Sequence, residues 1–420
     1  MRFYMDTARL GQACPAAVQV QCEFARLAAY DPSLCSIGFL RDGVTAWDEE
    51  SREQFAALNS WLGIEQLKRH LADAFGVTDA ERILLANQTS RLVRIAARTM
   101  LRQCRRVLTT DLNWPAWQSI VSDEAMRHGG RILQVEIAND VLKDCATAAD
   151  VVDSMAAAFD RNSCDGLFIP AVSSLGIRLP VASLVRRLKQ RHELRFVMVD
   201  GAQGFSHVPL AEVLESCDVL IAGCHKWLGA HVPMGIAVAG NALTAEQFRC
   251  VAESGAVDAF SDPLMHLTEQ LRSNLVNRYS ETVNVVPLLT ASATLAAQAS
   301  ASATTALGAK AGCDRVDETL EIRRRNARQL VAIMDDTLWK PIHVDDSVGS
   351  AIVLAQSIKP SLALHEPEYL QSVFRQHGIS LSAYSDGLLR FSMPATNLQP
   401  HDMELISHAF RSVSQQLHVV

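Results

Sequence analysis

The sequence lacks several patterns that would assign its chemistry directly. It contains neither Gly-x-Gly-x-x-Gly nor a Walker-type Gly-x-x-x-x-Gly-Lys-(Ser/Thr) loop, so a dinucleotide or nucleoside triphosphate as ligand has little support. His225 and His231 lie close together in the sequence, but no third ligand stands at a spacing typical of metal sites. No metal centre is therefore predicted.

The chain also lacks a Cys-x-x-Cys pair, and its ten cysteines show no even framework of close spacings. At 420 residues it is long enough to bury a large core, so these cysteines are better interpreted as reduced thiols than as disulfides. Residues 1–6 contain no apolar stretch of the kind that secretory signals carry. Both features predict a cytoplasmic protein.

Positive charge is in deficit, with 39 Lys and Arg against 46 Asp and Glu and a net charge of −7. This balance argues against nucleic acid or an anionic membrane as the main partner. Residues 282–309 carry no charge, but they include Asn284, Pro287 and Gln298 and are rich in Ala, Ser and Thr, which is not a lipid-like composition. We expect a buried helix there, followed by a small-residue linker over 299–312 that precedes a carboxyl-terminal domain.

Short apolar segments separated by helix-like stretches are the main indication of fold. Apolar strands are typical of a parallel sheet covered on both faces, and their alternation with helices predicts an α/β fold. The last two candidate strands are too close for a crossover helix, so one of them should be antiparallel. The predicted strands are 83–86, 107–109, 132–135, 166–170, 196–199, 219–222 and 235–239, and the helix-like stretches include 91–101, 117–126, 151–159 and 181–191.

The pattern changes after Gly312. A charged helix over 315–335 is followed by short strands near 351–355 and 388–392. This order predicts a smaller α+β domain at the carboxyl terminus.

Two charged residues stand at the ends of neighbouring apolar strands. Asp200 follows the strand predicted over 196–199, and Lys226 follows the strand predicted over 219–222. Ligands of such sheets bind beyond the carboxyl ends of the strands, so the carboxylate and the amine are expected at one rim. An aldehyde cofactor with a pyridine ring needs this pair, because an amine must form the imine and a carboxylate must keep the ring nitrogen protonated. Taken alone, Asp200 could instead cap a helix, and Lys226 could be a solvated surface lysine.

The residues around this pair form a longer pattern. Within 197–240 the chain supplies Asp200-Gly201-Ala202-Gln203, His207-Val208-Pro209, Asp218 and His225-Lys226-Trp227. This pattern resembles the signature of the class V aminotransferase family of pyridoxal 5′-phosphate (PLP) enzymes, which includes cysteine desulfurases, kynureninases and isopenicillin-epimerase-like proteins. Weaker similarity runs from residues 4–9 to residues 389–392, so nearly the whole chain is covered.

The resemblance implies fold type I, with a mostly parallel seven-stranded sheet, helices on both faces and a smaller α+β carboxyl-terminal domain. Residues 1–30 would form an arm that joins the small domain. Residues 31–300 would form the large PLP-binding domain, and residues 301–420 the small domain.

The resemblance also implies roles for residues at the strand ends. Lys226 would hold PLP as a Schiff base, Asp200 would keep the ring nitrogen protonated, and His225 would contact the phosphate or tune the imine. Thr89 and Ser90 follow the strand over 83–86 and open a helix, where amides and hydroxyls suit the cofactor phosphate. Thr89 could in addition be the N-cap of that helix.

Other cavity residues are implied in the same way. Ser174, in Ser173-Ser174-Leu175-Gly176, would face the ring or the substrate, and Gln203 would reach the phenolic oxygen. Trp114 has the flat apolar face needed to stack on the pyridine ring, although it could be a core residue, and Trp117 is a rival for that place. His207 is interpreted as structural.

Substrate binding is assigned to Arg390, because a family Arg-x-Ser motif at this place binds the substrate α-carboxylate. A guanidinium suits a carboxylate through two parallel hydrogen bonds, and the alternative is a surface arginine. Ser280-Glu281-Thr282 resembles a segment that reaches the phosphate of the partner subunit, which makes Thr282 a cofactor ligand and implies a homodimer with shared active sites.

Departures from the family pattern restrict the reaction. Cysteine desulfurases need a nucleophilic cysteine shortly before the arginine, but residues 378–390 contain none, so desulfuration is disfavoured. Gly223 stands where desulfurases have a phosphate-binding hydroxyl, which is closer to the epimerase-like branch. Residues 229–235 are longer and less glycine-rich than the usual segment.

We therefore predict a PLP-dependent enzyme that acts on a small amino acid or amine through an external aldimine, with transamination favoured. The alternatives are an amino-acid epimerase, or a lyase for β-elimination or for cleavage of carbon–sulfur or carbon–carbon bonds. A non-enzymatic binding protein is disfavoured because Lys226, Asp200 and Arg390 are all present.

Overall fold

The computed structural model describes residues 2–253, 262–273, 282–303, 312–334 and 337–418. Within these residues the strands are β1 (Phe3–Tyr4), β2 (Ile83–Ala86), β3 (Arg106–Thr110), β4 (Arg131–Val135), β5 (Gly166–Pro170), β6 (Phe196–Asp200), β7 (Val219–Gly223), β8 (Gly235–Ala239), β9 (Trp339–Pro341), β10 (Ile352–Ser357), β11 (Ile379–Ser380), β12 (Ser382–Ala383) and β13 (Leu388–Ser392). The helices are α1 (Pro15–Tyr30), α2 (Ile37–Asp42), α3 (Glu49–Gln54), α4 (Ile64–Phe75), α5 (Thr89–Leu101), α6 (Pro115–His128), α7 (Ala138–Leu142), α8 (Ala148–Arg161), α9 (Val181–Lys189), α10 (Ala211–Ser216), α11 (Ala242–Glu253), α12 (Pro263–Ser273), α13 (Val286–Ala303), α14 (Gly312–Ile333), α15 (Pro367–Gln376) and α16 (Pro400–His418).

The larger sheet has seven strands in the order β2-β8-β7-β6-β5-β3-β4. β8 runs antiparallel to β2 and β7, and the remaining pairs are parallel. The predicted mostly parallel, seven-stranded sheet is therefore confirmed, as is the antiparallel strand among the last two.

Apolar residues fill both faces of this sheet, which explains why its central strands are apolar throughout. Every residue of β5, β6, β7 and β8 is buried. Successive side chains point to opposite faces, so Val197 and Val199 join one hydrophobic cluster while Met198 joins another. Helices pack against this sheet.

A second sheet, in the order β12-β13-β10-β9, forms the core of the smaller carboxyl-terminal part. The amino-terminal strand β1 pairs in parallel with β11, and α1 packs against α13. The arm thus contacts both parts of the molecule. This arrangement brings residues 5–9 to the carboxyl-terminal edge of the large sheet.

The prediction of a linker over 299–312 is wrong at both ends of that segment. Helix α13 continues to Ala303 and α14 begins at Gly312, while residues 304–311 lie outside the described residues. Alanine has the highest helix propensity, and small hydroxyl side chains can return their hydrogen bond to the preceding turn, as Ser300 Oγ does to the carbonyl of Ala296 at 3.0 Å. The small residues at the end of α13 therefore extend the helix and do not end it. No helix among the described residues is both long and apolar enough to span a membrane.

An ion network joins α4, α11 and α12 below the large sheet. Lys68, which is 1% exposed, lies 2.7 Å from Glu269, and Arg249 donates from Nε to the same carboxylate at 2.7 Å. Burial by itself raises the pKa of Glu269, but the charges of Lys68 and Arg249 outweigh it and hold that pKa at about 2. Glu269 is therefore ionised wherever the protein is folded near neutral pH.

We predict that Glu269→Gln lowers the free energy of unfolding by about 3–5 kcal/mol, because it leaves Lys68 buried without its counter-charge. Glu65→Gln, in the exposed pair of Glu65 with Arg69, is the matched control and should cost less than about 1 kcal/mol. Urea unfolding at pH 7 measures both. The pKa of Glu269 is 4.5 when unperturbed and about 2 in the fold. Its contribution to the free energy of unfolding is therefore complete above pH 4.5 and is lost as the pH falls towards 2. A deficit in the variant that is the same at pH 3 and pH 7 would contradict this assignment.

Candidate active site

A cavity of about 650 Å³ lies at the carboxyl ends of the strands of the large sheet. This is where ligands of open α/β sheets bind, and the volume suits a small molecule. The predicted site residues that line it are Thr89, Ser90, Trp114, Ser174, Asp200, Gln203, His225, Lys226 and Arg390. Thr282 does not line it and is exposed, and Ser280 and Glu281 lie outside the described residues.

Adjacent parallel strands deliver the carboxylate and the amine. Asp200 is the last residue of β6, and Lys226 follows the end of β7 by three residues. Asp200 pairs in register with Ile221 of β7, so both chain segments leave the sheet side by side. Asp200 is buried and its Oδ1 accepts a hydrogen bond from the amide of Ala202 at 2.9 Å. Turn residues and not a helix follow Asp200, so its interpretation as a helix cap is wrong.

Burial shifts the pKa of both groups. Burial raises the pKa of Asp200, while the Ala202 amide, the charge of Lys226 and the Trp117 indole lower it. Burial also lowers the pKa of Lys226, with the charge of Arg390 acting in the same sense and that of Asp200 opposing. A lysine with a lowered pKa has more of the neutral, nucleophilic amine at neutral pH.

The amino end of α5 lies at the cavity. Gln88 is the N-cap residue and makes no capping hydrogen bond from its side chain, so the first amides, at Thr89 and Ser90, are left without a side-chain cap. Thr89 is the first helical residue, and its interpretation as the N-cap is wrong. A Cβ at Gly235 would lie 2.8 Å from the Thr89 backbone, which explains why glycine is needed there for the helix end to approach the sheet.

His225 adjoins the same helix end. A Cβ at Gly223 would lie 3.4 Å from Thr89 Oγ1 and 3.2 Å from His225 Nδ1, so the two side chains meet over this glycine. Burial and the neighbouring charge of Lys226 lower the pKa of His225 to about 4, and its buried Nδ1 has no hydrogen-bond partner. A neutral imidazole with a free donor or acceptor beside unpaired helix amides suits a phosphate.

The two tryptophans differ in their surroundings. Trp117 is partly buried and its indole lowers the pKa of Asp200, whereas Trp114 is 48% exposed at the cavity wall. Interpreting Trp114 as a core residue is therefore wrong. Both indoles border the cavity.

Gln203 connects the lysine segment to the arm. Its Nε2 donates to the carbonyl of Ala8 at 2.7 Å, and its Oε1 accepts from Trp227 Nε1 at 2.8 Å. Trp227, directly after the lysine, stacks on His207 with ring centroids 3.7 Å apart, and Arg323 of α14 lies 4.9 Å from its ring. The buried His207 also contacts the carbonyl of Gln203 at 2.8 Å, which agrees with its structural interpretation.

Arg390 of β13 reaches the cavity from the small sheet. It is 4% exposed, so the interpretation as a surface arginine is wrong. Its Nη1 donates to the backbone carbonyl of Ser174 at 3.0 Å, and its Nη2 donates to Ser382 Oγ at 2.9 Å and to Asp6 Oδ1 at 3.4 Å. Asp6 and Ser382 were not among the residues that the sequence singled out for binding.

Sequence reasoning also missed residues at the mouth of the cavity. Arg9 of the arm and Glu368 and Gln371 of α15 line it. The arm residue lies within the weak similarity over 4–9, which was a usable signal. The residues of α15 gave no such signal. Their sequence is that of an ordinary amphipathic helix, and it lies far from the lysine along the chain.

The donor set of this cavity fits a phosphorylated pyridine aldehyde. The cavity holds one amine, one buried carboxylate, an uncapped helix end and two indoles. The orphaned Nδ1 of His225 also needs a polar partner that the protein does not provide. Among the described residues, no group of three His, Cys, Asp or Glu side chains could hold a metal ion.

Comparisons with known proteins identify the family and the fold. The family model "Aminotransferase class-V" matches residues 52–287, and no curated protein is significantly similar to the chain. The cysteine desulfurase CsdA from Escherichia coli superposes with a TM-score of 0.69 at 16% identity, covering 98% of this chain and 94% of that one. Ureidoglycine–glyoxylate aminotransferase from Bacillus subtilis gives 0.65 at 13% identity, with 99% and 93% covered. A C-DES mutant with glycine covalently linked to the PLP cofactor gives 0.65 at 14% identity, with 98% and 96% covered. At these identities the superpositions show a shared fold.

Proposed function

The chain belongs to the class V aminotransferase family, whose cofactor is PLP, and on this premise we propose that it transfers the amino group of a small amino acid or amine. The observation that carries the proposal is that Lys226, Asp200 and Arg390 line one cavity although they are far apart in sequence. An amine, a carboxylate and a buried guanidinium are the groups that an amino-acid enzyme of this kind requires.

PLP supplies, when bound, an electron sink for bond breaking at the Cα of the substrate. Asp200 would hold the proton on the ring nitrogen. Thr89, Ser90 and His225 would bind the phosphate. Lys226 Nζ, whose pKa burial lowers, would hold the aldehyde carbon and later carry the proton to and from Cα.

Arg390 would orient the substrate through its α-carboxylate. Its guanidinium is fixed by the Ser174 carbonyl and by Ser382, so little side-chain entropy is lost on binding. Glu368, Gln371 and Arg9 stand at the mouth of the cavity, where they would contact the substrate side chain.

Cysteine desulfuration has less support than transamination. Among the described residues, no cysteine lines the cavity. Cys224 lies two residues before the lysine, but it is buried, and burial raises the pKa of its thiol to about 12. A buried thiol of this kind is a poor nucleophile.

A half-reaction assay tests the proposal. The PLP-loaded protein is mixed with single amino acids and amines, and its absorbance spectrum is followed. For a transaminase we predict conversion to the pyridoxamine form with no second substrate, and recovery of the original spectrum when an α-keto acid is added. Deuterium incorporation with inversion at Cα and no conversion to the pyridoxamine form would instead identify an epimerase, and release of ammonia or a leaving group without that conversion would identify a lyase. Either result would overturn transamination as the reaction.

The sequence supports two further proposals. The resemblance around Thr282 favours a homodimer in which this residue contacts the partner subunit's cofactor. The reduced cysteines favour a cytoplasmic location; the nine cysteines with described side chains are all free. Sedimentation of the cofactor-loaded protein tests the first of these.

A further inference from the structure

Arg390, the proposed carboxylate ligand, already faces a carboxylate of its own chain. Asp6 of the arm is 6% exposed and lies 3.4 Å from Arg390 Nη2. Ser382 bridges the two, because its hydroxyl accepts from Nη2 and donates to Asp6 Oδ1. A buried cation and a buried anion thus face each other in the place where a substrate carboxylate would bind.

The contact with Asp6 matters because most of the hydrogens of the Arg390 guanidinium are already engaged. An arginine has one hydrogen on Nε and two on each of Nη1 and Nη2. Both hydrogens of Nη2 are engaged, with Ser382 and Asp6, and one hydrogen of Nη1 is engaged with the carbonyl of Ser174. Each edge that can hold a carboxylate through two parallel bonds includes a hydrogen of Nη2. A bidentate substrate carboxylate therefore has to take a hydrogen that Asp6 or Ser382 now holds.

The contact with Asp6 is the weaker of the two. Its 3.4 Å distance is beyond the usual range for N–H···O bonds, whereas the bond to Ser382 is 2.9 Å long. Once a substrate is bound, its carboxylate and that of Asp6 share the single positive charge of Arg390. Two carboxylates held close together in a buried site repel each other.

We infer that Asp6 is a resident competitor for the carboxylate site of Arg390, which weakens substrate carboxylate binding and speeds its release. This inference rests on the proposed role of Arg390 in substrate binding. Asp6 acts through the arginine, so it is a residue that sets specificity and affinity and takes no part in the chemistry.

The arm holds Asp6 in place independently of its charge. Met5 donates to the carbonyl of Ser380 at 2.8 Å and accepts from the amide of Ser392 at 2.7 Å, and Ala8 donates to Ser392 Oγ at 3.0 Å. An asparagine at position 6 would keep the shape and the acceptor oxygen of Asp6. Asp6→Asn therefore changes the charge without releasing the arm.

The test is the affinity of the PLP-loaded protein for acetate, measured by NMR line broadening of carbon-13-labelled acetate at constant ionic strength. Asp6→Asn is expected to lower the dissociation constant of acetate about tenfold. Asp6→Ser is the second charge-removing variant should Asp6→Asn fail to fold.

Arg390→Gln separates failure of the inference from failure of the proposed function. If it abolishes acetate binding while Asp6→Asn leaves the dissociation constant unchanged or raises it, Asp6 does not compete and the inference is overturned, but the role of Arg390 stands. If acetate binds Arg390→Gln as it binds the native protein, the carboxylate role of Arg390 fails and the inference fails with it.

Discussion

Replacing Lys226 by alanine is expected to reduce turnover of the accepted amino acid by at least about 10³-fold. A positioned proton-transfer group contributes about 10²–10⁴-fold to the rate, and Lys226 is in addition the nucleophile. The structure gives the reason: this amine is in the cavity, beyond the end of β7, and burial lowers its pKa. Steady-state kinetics with the substrate from the half-reaction assay measures the loss.

Two controls make the lysine result specific. Lys226→Arg keeps the positive charge but cannot condense with an aldehyde, so it should be as inactive as the alanine variant. Added methylamine should restore part of the activity of Lys226→Ala, since a small amine can occupy the vacated space and carry the proton. Turnover in Lys226→Ala within tenfold of the native rate would contradict the assignment.

The second large effect is expected at Asp200. Asp200→Asn keeps the shape of the side chain and removes the charge that would hold the ring nitrogen protonated. We predict a fall in turnover of roughly 10²–10³-fold, comparable to removal of one preorganised electrostatic contact in other active sites. PLP affinity should fall as well, and absorbance titration of the cofactor measures that change separately from turnover.

Asp218 provides the matched control for this variant. It is a partly buried carboxylate directly before β7, its Oδ2 accepts from the amide of Val197 at 2.7 Å, and burial raises its pKa as it does for Asp200. It does not line the cavity. Asp218→Asn should therefore leave turnover within about threefold, and equal losses in both variants would mean that a general effect on the sheet, and not the cofactor, explains the result.

The large sheet was predictable because burial on both faces imposes an apolar composition that few other elements share. The strands at 166–170 and 235–239 were predicted at their observed bounds, and the polar residues that follow the apolar strands located the cavity. A long motif with fixed spacing then identified the lysine and the aspartate. These parts of the account depend on local sequence, which is why they could be read from it.

Contacts between distant segments were not predictable. Nothing in the composition of residues 4–9 indicates that Asp6 meets Arg390, since this pairing requires β1 to dock beside β11. The amide of Gln203 was expected to be available for the cofactor, but its two ends bond to Ala8 and Trp227. As a donor to the cofactor, its Nε2 therefore has one hydrogen left.

The two ends of the linker expected over 299–312, at 299–303 and at 312, were mispredicted for a different reason. Small residues are common in linkers, but alanine also stabilises helices, so composition by itself does not distinguish the two. The packing of α13 against α1 decides in favour of a helix. At the end of α13 the local sequence suggested a linker, whereas the contact with α1 favours a helix, and the segment is helical.

The central claim is that the amine of Lys226 holds the PLP aldehyde. Borohydride reduction of the cofactor-loaded protein, followed by proteolysis and mass spectrometry, tests it most directly. The account predicts one pyridoxyl group per chain, on the peptide that contains Lys226, and no label on this peptide in Lys226→Ala. A pyridoxyl group on another lysine, or none on any peptide of a protein that binds PLP, would contradict it.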